Sequence, residues 1–167
     1  MSGSTIHCYS VPLLVTLFVT NKSYPVVVQP TQECHLLKRT AINPWNWSVK
    51  LGYNQAEVIE DVTRQVICAG QTAVDENGVP QHPNDLRAQI ALSLDNLETV
   101  LSAADMDLSN VTRLRIYTTD IEEALKSFDL LGTRFGEKRS APPMTLVGVT
   151  SLAIPGLDFE IEASAAN

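Results

Sequence analysis

DLRAQIALSLDNLETVLSAADMDLSNVTRLRIYTTDIEE, Asp85–Glu123, is the stretch that decides the fold. Leu86, Ile90, Leu94, Leu97 and Leu101 recur at intervals of three and four, which puts them on one stripe of a helix. Asn84 or Asp85 supplies the N-cap, and the helix fades near Ala104. From Val111 to Thr119 the period drops to two: Leu114 and Ile116 point to one side, Arg113, Arg115 and Tyr117 to the other. Asp120 then caps a second helix, expected over residues 121–138, with Glu122 and Glu123 in its first turn, where the helix dipole favours acids. Its buried stripe is expected to be Leu125, Phe128, Leu131 and Phe135. A helix, a half-buried strand and a second helix in succession call for a sheet covered by helices on one face.

Working outward, residues 53–59 and 62–72 are rich in β-formers and separated by Glu60 and Asp61, which predicts a hairpin. Gly70 interrupts the second of these strands, a sign of a bulge or of a close approach by a ligand. Asp75–Gly78 is a turn. Downstream, Pro142 and Pro143 stop the second helix, and residues 144–152 and 157–163 are two closing strands turned at Ile154-Pro155-Gly156. The predicted order is β-β-α-β-α-β-β: one α+β domain over residues 43–167, with two helices on one face of a mixed sheet. Residues 1–42 form an N-terminal extension expected to be poorly ordered. Its apolar run, Val11–Thr20, is shorter than the ~20 residues a bilayer span needs. No Lys or Arg precedes Lys22, so a secretory leader is not indicated. Val26–Val28 is a candidate edge strand.

The chain has 167 residues, 44% hydrophobic and 19% charged, a globular composition with a buried core. Its net charge of −7 argues against a nucleic-acid partner. Residues 1–39 carry Lys22, Lys38 and Arg39 against Glu33 alone, so the acidic balance falls on the remainder. Cys8, Cys34 and Cys68 form no CxxC pair, and His7, His35 and His82 are far apart, so no metal site is implied. Free thiols and a cytoplasmic location are expected, with no membrane association.

The element order alone fits several ferredoxin-like and chorismate-mutase-like folds; short motifs narrow it. Gly52-Tyr53-Asn54-Gln55-Ala56 resembles a Pro-Tyr-Ser-Gln-Ala opening, and Cys68-Ala69-Gly70-Gln71 a Ser-Gly-Gln segment. Residues 89–101 resemble the helix that follows, residues 111–120 a strand ending in an acid, and Phe159-Glu160-Ile161-Glu162-Ala163 a Val-Glu-Ile-Glu-Ala ending. Each motif is weak alone. Five in order, from about Asn43 to Ala165, make the domain resemble the RidA (YjgF) family of small trimeric proteins.

The resemblance implies a homotrimer with a small-molecule ligand in each cleft between subunits and no cofactor. The implied activity is hydrolysis of reactive enamines and imines with release of ammonia. An imine carbon is already electrophilic, so such a site must orient the substrate, stabilise developing charge and hold an attacking water. Glu160 corresponds to the glutamate that positions or deprotonates that water. Its alternative is a solvated strand acid, since Glu160 and Glu162 share a face. Tyr53 corresponds to the family tyrosine, or is an interface aromatic only. Gly70 corresponds to a backbone-contact glycine, and Ala69, Phe128, Met144 and Thr145 fall at ligand-binding positions.

The departure from the family lies at Pro142-Pro143-Met144-Thr145-Leu146, where the family pattern is Pro-Ala-Arg followed by Ser or Thr. Counted back from Glu160 with one inserted residue, Met144 stands where the family has a carboxylate-binding arginine, and a thioether cannot do that work. Arg139, Arg113 and Arg115 are alternative cations. Trp45 and Trp47 either wall the pocket or pack on the rim of the domain, and packing is the expectation. Three functions compete: an imine or enamine hydrolase acting on a substrate with a less strongly held acid group, a non-catalytic metabolite-binding protein on the same trimeric scaffold, and an enzyme of different chemistry.

Overall fold

The computed structural model describes residues 37–167. The predicted sequence of elements is present, with one strand added, one strand divided and one helix divided. The strands are β1 (Lys38–Ile42), β2 (Ala56–Glu60), β3 (Gln65–Ile67), β4 (Gln71–Thr72), β5 (Val111–Thr118), β6 (Met144–Gly148) and β7 (Phe159–Ala166). The helices are α1 (Leu86–Ala103), α2 (Ile121–Lys126) and α3 (Asp129–Glu137). Asp85 caps α1 by accepting from the Ala88 N–H, and Asp120 caps α2 by accepting from the Glu123 N–H.

One mixed sheet runs β3-β7-β5-β6, with β4 also on β7. Strands β5 and β6 are parallel; the other pairings are antiparallel. Parallel neighbours need a long crossover, which α2 and α3 provide. The inner face of the sheet, Leu114, Ile116, Phe159, Ile161 and Ala163, is buried against the α1 stripe of Ile90, Leu94, Leu97 and Leu101. Leu131 and Phe135 of α3 complete this core. Each fully buried aliphatic side chain contributes about 1.5–3 kcal/mol by leaving water, so the α1 stripe alone is a major source of stability. No described helix is long and apolar enough to cross a membrane.

Four expectations are corrected. The hairpin of residues 53–59 with 62–72 does not form. Strand β2 pairs with β1 in a separate two-stranded sheet, while β3 and β4 both pair with β7. The reason is the length of β7: its end captures the chain leaving β2, since the Thr63 and Arg64 N–H groups donate to the Asn167 carbonyl. Secondly, residues 38–42 belong to the folded domain as β1, although the sequence assigns them to the extension; residues 1–36, with the candidate edge strand, lie outside the described residues. Arg39 secures β1: its guanidinium pairs with Glu57 at 2.6 Å and donates to the Ser109 and Val111 carbonyls. Thirdly, β6 ends at Gly148 and is separated from β7 by β5, so residues 154–156 do not turn a hairpin. Finally, the second helix breaks at Ser127–Phe128. The break resets the helical phase, so Leu131 and Phe135 stay in the core while Leu125 faces outward, 53% exposed.

Candidate functional site

The segment that brings Tyr53 into place is a wound loop, residues 43–55, held by polar side chains. Asn43 Nδ2 donates to Asn54 Oδ1, and the Asn43 oxygen accepts from the Gln55 N–H, both at 2.8 Å. Asn54 Nδ2 donates to Glu57, the same carboxylate that Arg39 grips. The Asn54 N–H donates to the Ala141 carbonyl, which ties the loop to the approach to β6. A short helical turn, Val49–Leu51, ends at Gly52, whose φ of 86° is the left-handed geometry that glycine accepts most readily. The resemblance at residues 52–56 therefore has a structural basis in this loop and its anchor.

Tyr53 lines a cavity of about 340 Å³ together with Leu51, Leu125, Phe128, Met144 and Leu146. Met144 and Leu146 alternate onto the helix side of β6, since they pair with Leu114 and Ile116. No lining residue carries a charge. Trp47 stands edge-on to Tyr53, with ring centroids 6.0 Å apart and planes at 82°. It is 55% exposed and Trp45 is 67% exposed. The loop holds both tryptophans at the surface, with Trp47 packed on Tyr53 beside the cavity.

The opposite face of the sheet carries a different chemistry. Glu160 and Glu162 both project there, but their surroundings differ. Glu162 accepts hydrogen bonds from the Tyr117 hydroxyl at 2.8 Å and the Arg115 guanidinium at 3.0 Å. Those bonds, Tyr117 first and Arg115 second, hold the Glu162 carboxyl below its ordinary range, and the same bond to Glu162 pushes the Tyr117 phenol up. No described residue reaches Glu160 in this way. Instead its carboxylate lies against the Cα of Gly70: a Cβ there would sit 1.8 Å from Glu160 Oε1. This close approach explains the interruption at Gly70, where the strand breaks into β3 and β4. Ala69, exposed beside it, offers its carbonyl to the Gln71 side chain.

The residues expected at the site are therefore divided between two places in one chain. Tyr53, Phe128 and Met144 meet in the apolar cavity. Gly70, Ala69 and Glu160 meet on the open face of the sheet. Thr145 pairs with Arg115 and alternates to that open face, away from Met144. Of the alternative cations, Arg113 and Arg115 line a small recess on the open face with Ile67 and Cys68. Arg139 is exposed after α3 and does not line the cavity. The Cys68 thiol is buried, which pushes its pKa up. Sequence reasoning missed Leu51, Leu125 and Leu146 as cavity residues and the Tyr117–Glu162–Arg115 cluster. For the cluster a signal existed: Arg115 and Tyr117 alternate on one face of β5 as Glu160 and Glu162 do on β7. A more polar cleft of about 500 Å³ lies between the starts of α1 and α2, but Asp85 and Asp120 there are occupied as helix caps and Asp158 accepts from Thr119.

Comparison with known proteins agrees with this architecture. A family model described as Endoribonuclease L-PSP matches residues 47–167. The crystal structure of YyfB from Yersinia pestis, a member of the conserved Rid family, is 32% identical with a TM-score of 0.68, covering 77% of this chain and 98% of that one. Rv2704 of Mycobacterium tuberculosis, a member of the YjgF/YER057c/UK114 family, is 30% identical with a TM-score of 0.53, covering 78% of this chain and all of its own. Protein DfrA of Myxococcus xanthus is 29% identical over 113 residues, 68% of this chain and 83% of its own. With this match running from the Trp47–Tyr53 loop to the end of β7, the chain belongs to the YjgF/RidA family.

Proposed function

We propose that this protein hydrolyses the C=N bond of a small imine or enamine, releasing ammonia, in clefts formed between copies of the chain in a homotrimer. The observation that carries the proposal is the state of Glu160: a carboxylate with no hydrogen-bond partner among the described residues, packed on a glycine that leaves it room. Its neighbour Glu162 is committed to Tyr117 and Arg115. A carboxylate in the first state is available to take a proton from water; one in the second is not. Water adds to the carbon of the protonated imine as Glu160 accepts its proton, which gives a neutral carbinolamine. Glu160 returns that proton to nitrogen, and as the C–N bond breaks it takes the hydroxyl proton, so that ammonia leaves and a carbonyl remains.

Assembly supplies the other half. Within one chain the Tyr53–Phe128–Met144 cavity and the Gly70–Glu160 surface lie on opposite sides of the sheet. A cleft between neighbours can join the cavity of one copy to the glutamate of the next. The open face also leaves Ile67 78% exposed and Val147 41% exposed, apolar surface that a neighbour would cover. Cyclic symmetry makes such an interface heterologous and closed. The acidic balance and the uncharged cavity speak for a small molecule over RNA, despite the family model's description.

Met144 favours a second reading, a non-catalytic binding protein on the same scaffold, because the cavity lacks the cation that would anchor a 2-imino acid. Amine release from a panel of freshly generated imines, with and without carboxylates, separates the two. Turnover lost in Glu160→Gln supports hydrolysis; binding without turnover of any member puts the binding protein first. A stable monomer in sedimentation at micromolar concentration would overturn the shared cleft.

A further inference from the structure

We infer that the Leu51–Leu146 cavity is a subsite for an uncharged, ring-sized apolar group, so that the ligand of this chain carries an aromatic or branched aliphatic moiety where a carboxylate would otherwise be held. This inference deepens the proposed function and rests on its assignment of the cavity as one wall of the cleft.

Five of the six lining side chains are wholly apolar in character: Leu51, Leu125, Phe128, Met144 and Leu146. The sixth, Tyr53, brings a single hydroxyl. A carboxylate placed among them would give up its hydration and meet no cation in return, which is strongly unfavourable. An aromatic ring loses little on leaving water and gains contacts with Phe128 and Tyr53 and with the polarisable sulfur of Met144. Size agrees as well. An apolar cavity of about 150 Å³ already admits benzene, and this one measures about 340 Å³. That leaves room for a ring and a short linker reaching toward a reacting group. The pattern of apolar walls with one polar group to set orientation is that of a small-molecule pocket.

The aromatic wall is also pre-positioned. Trp47 extends it by its edge-on contact with Tyr53. The loop bearing both rings is tied down by the Asn43–Asn54–Glu57–Arg39 chain of hydrogen bonds. Such a loop needs little further ordering when a ligand arrives, and this saving in entropy favours binding. Arg113 and Arg115, cations of the kind that offset a carboxylate, face the other side of the sheet, where Glu162 engages Arg115.

The test uses the full chain and a matched pair of probes at neutral pH: phenylacetamide, uncharged, and phenylacetate, its anionic counterpart. Binding is followed by the methyl NMR signals of Met144, Leu125 and Leu146. Phenylacetamide is expected to bind at least about tenfold more tightly than phenylacetate and to shift those methyl signals. Met144→Arg is expected to reverse the preference. Leu125→Lys, at an exposed position that tolerates charge, should do the same if Met144→Arg fails to fold. Equal or tighter binding of phenylacetate to the wild type, or no shift of the cavity methyls with either probe, overturns the subsite. So does dissociation of the assembly by phenylacetamide, which would mean that a second copy fills the cavity. The two proposals fail separately. Phenylacetamide seated in the cavity of a protein that releases no amine from any imine leaves the subsite standing and removes hydrolysis. Turnover of carboxylate-bearing imines alone, with no phenylacetamide binding, does the reverse.

Discussion

The two sides of the central sheet carry opposite chemistry within a few residues of each other. On the helix side of β6, Met144 and Leu146 wall an uncharged cavity; on the open side of β7, Glu160 and Glu162 sit beside Arg115 and Tyr117. Alternation along a strand makes this division unavoidable, because successive side chains leave the backbone in opposite directions. The same comparison holds at finer scale on the open side, where Glu162 is tied and Glu160 is not. The groups to which the proposed function assigns recognition and proton transfer are thus separated in one chain, and that proposal needs a neighbour to reunite them.

The sharpest way to break this comparison is to change adjacent residues of β7. Glu160→Gln should lower turnover by about 100-fold or more, the usual scale for losing a general base, with melting temperature little changed. Ile161→Ala, one residue on but fully buried, should instead cost about 2–5 kcal/mol of stability. Denaturant unfolding and amine-release rates on both variants test the pair; a large stability loss in Glu160→Gln would make that carboxylate structural.

Next in size is Arg39→Ala. It removes the partner of Glu57, whose side chain is only 6% exposed, and should cost about 1–3 kcal/mol. The effect should reach the Tyr53 loop through Asn54, visible as faster hydrogen exchange across residues 43–55. It follows that a chain shortened to begin at Thr40 loses a domain contact, whereas one beginning at Leu37 keeps it. Unchanged exchange in the variant would uncouple β1 from the loop.

Gly70→Ala comes third. The new Cβ must displace the Glu160 carboxylate, which lies where it would go. Turnover should fall about tenfold, equivalent to about 1.4 kcal/mol, with the fold intact. Normal rates would mean that Glu160 swings freely and that its contact with Gly70 does not position it.

The smallest effect is on pH dependence. Tyr117 and Arg115 hold the folded-state pKa of Glu162 down, so its contribution to stability is present above the ordinary glutamate value of about 4.3 and is lost as pH falls through the lowered one. Glu162→Gln should therefore lose less stability than the wild type on acidification below that value. Melting curves at neutral and acid pH measure the difference; parallel losses would mean the cluster adds nothing net, as surface ion pairs often do.

What was legible in the sequence was local. The α1 stripe, the caps at Asp85 and Asp120, the alternation of β5 and the break at Gly70 all follow from spacing and residue type, and all are present. The motifs at residues 52–56, 68–71 and 159–163 carried the family resemblance and marked Tyr53, Gly70 and Glu160 as residues to watch.

Partner choice was decided only by the tertiary structure. Residues 53–59 and 62–72 read as a hairpin because they are close in sequence, yet β7 offers one long edge to β3 and β4, and β1 takes β2. Hydrogen-bonding edges are alike in chemistry, so sequence spacing alone does not say which will meet. The break at Ser127–Phe128 is of the same kind: a change of helical phase moved Leu125 from the expected core to the mouth of a cavity. That cavity, and the separation of Tyr53 from Glu160, depend on which face of β6 and β7 the helices cover. The sequence by itself determined which residues are apolar, which are acidic and where the backbone must bend; three-dimensional packing decided which of them share a space.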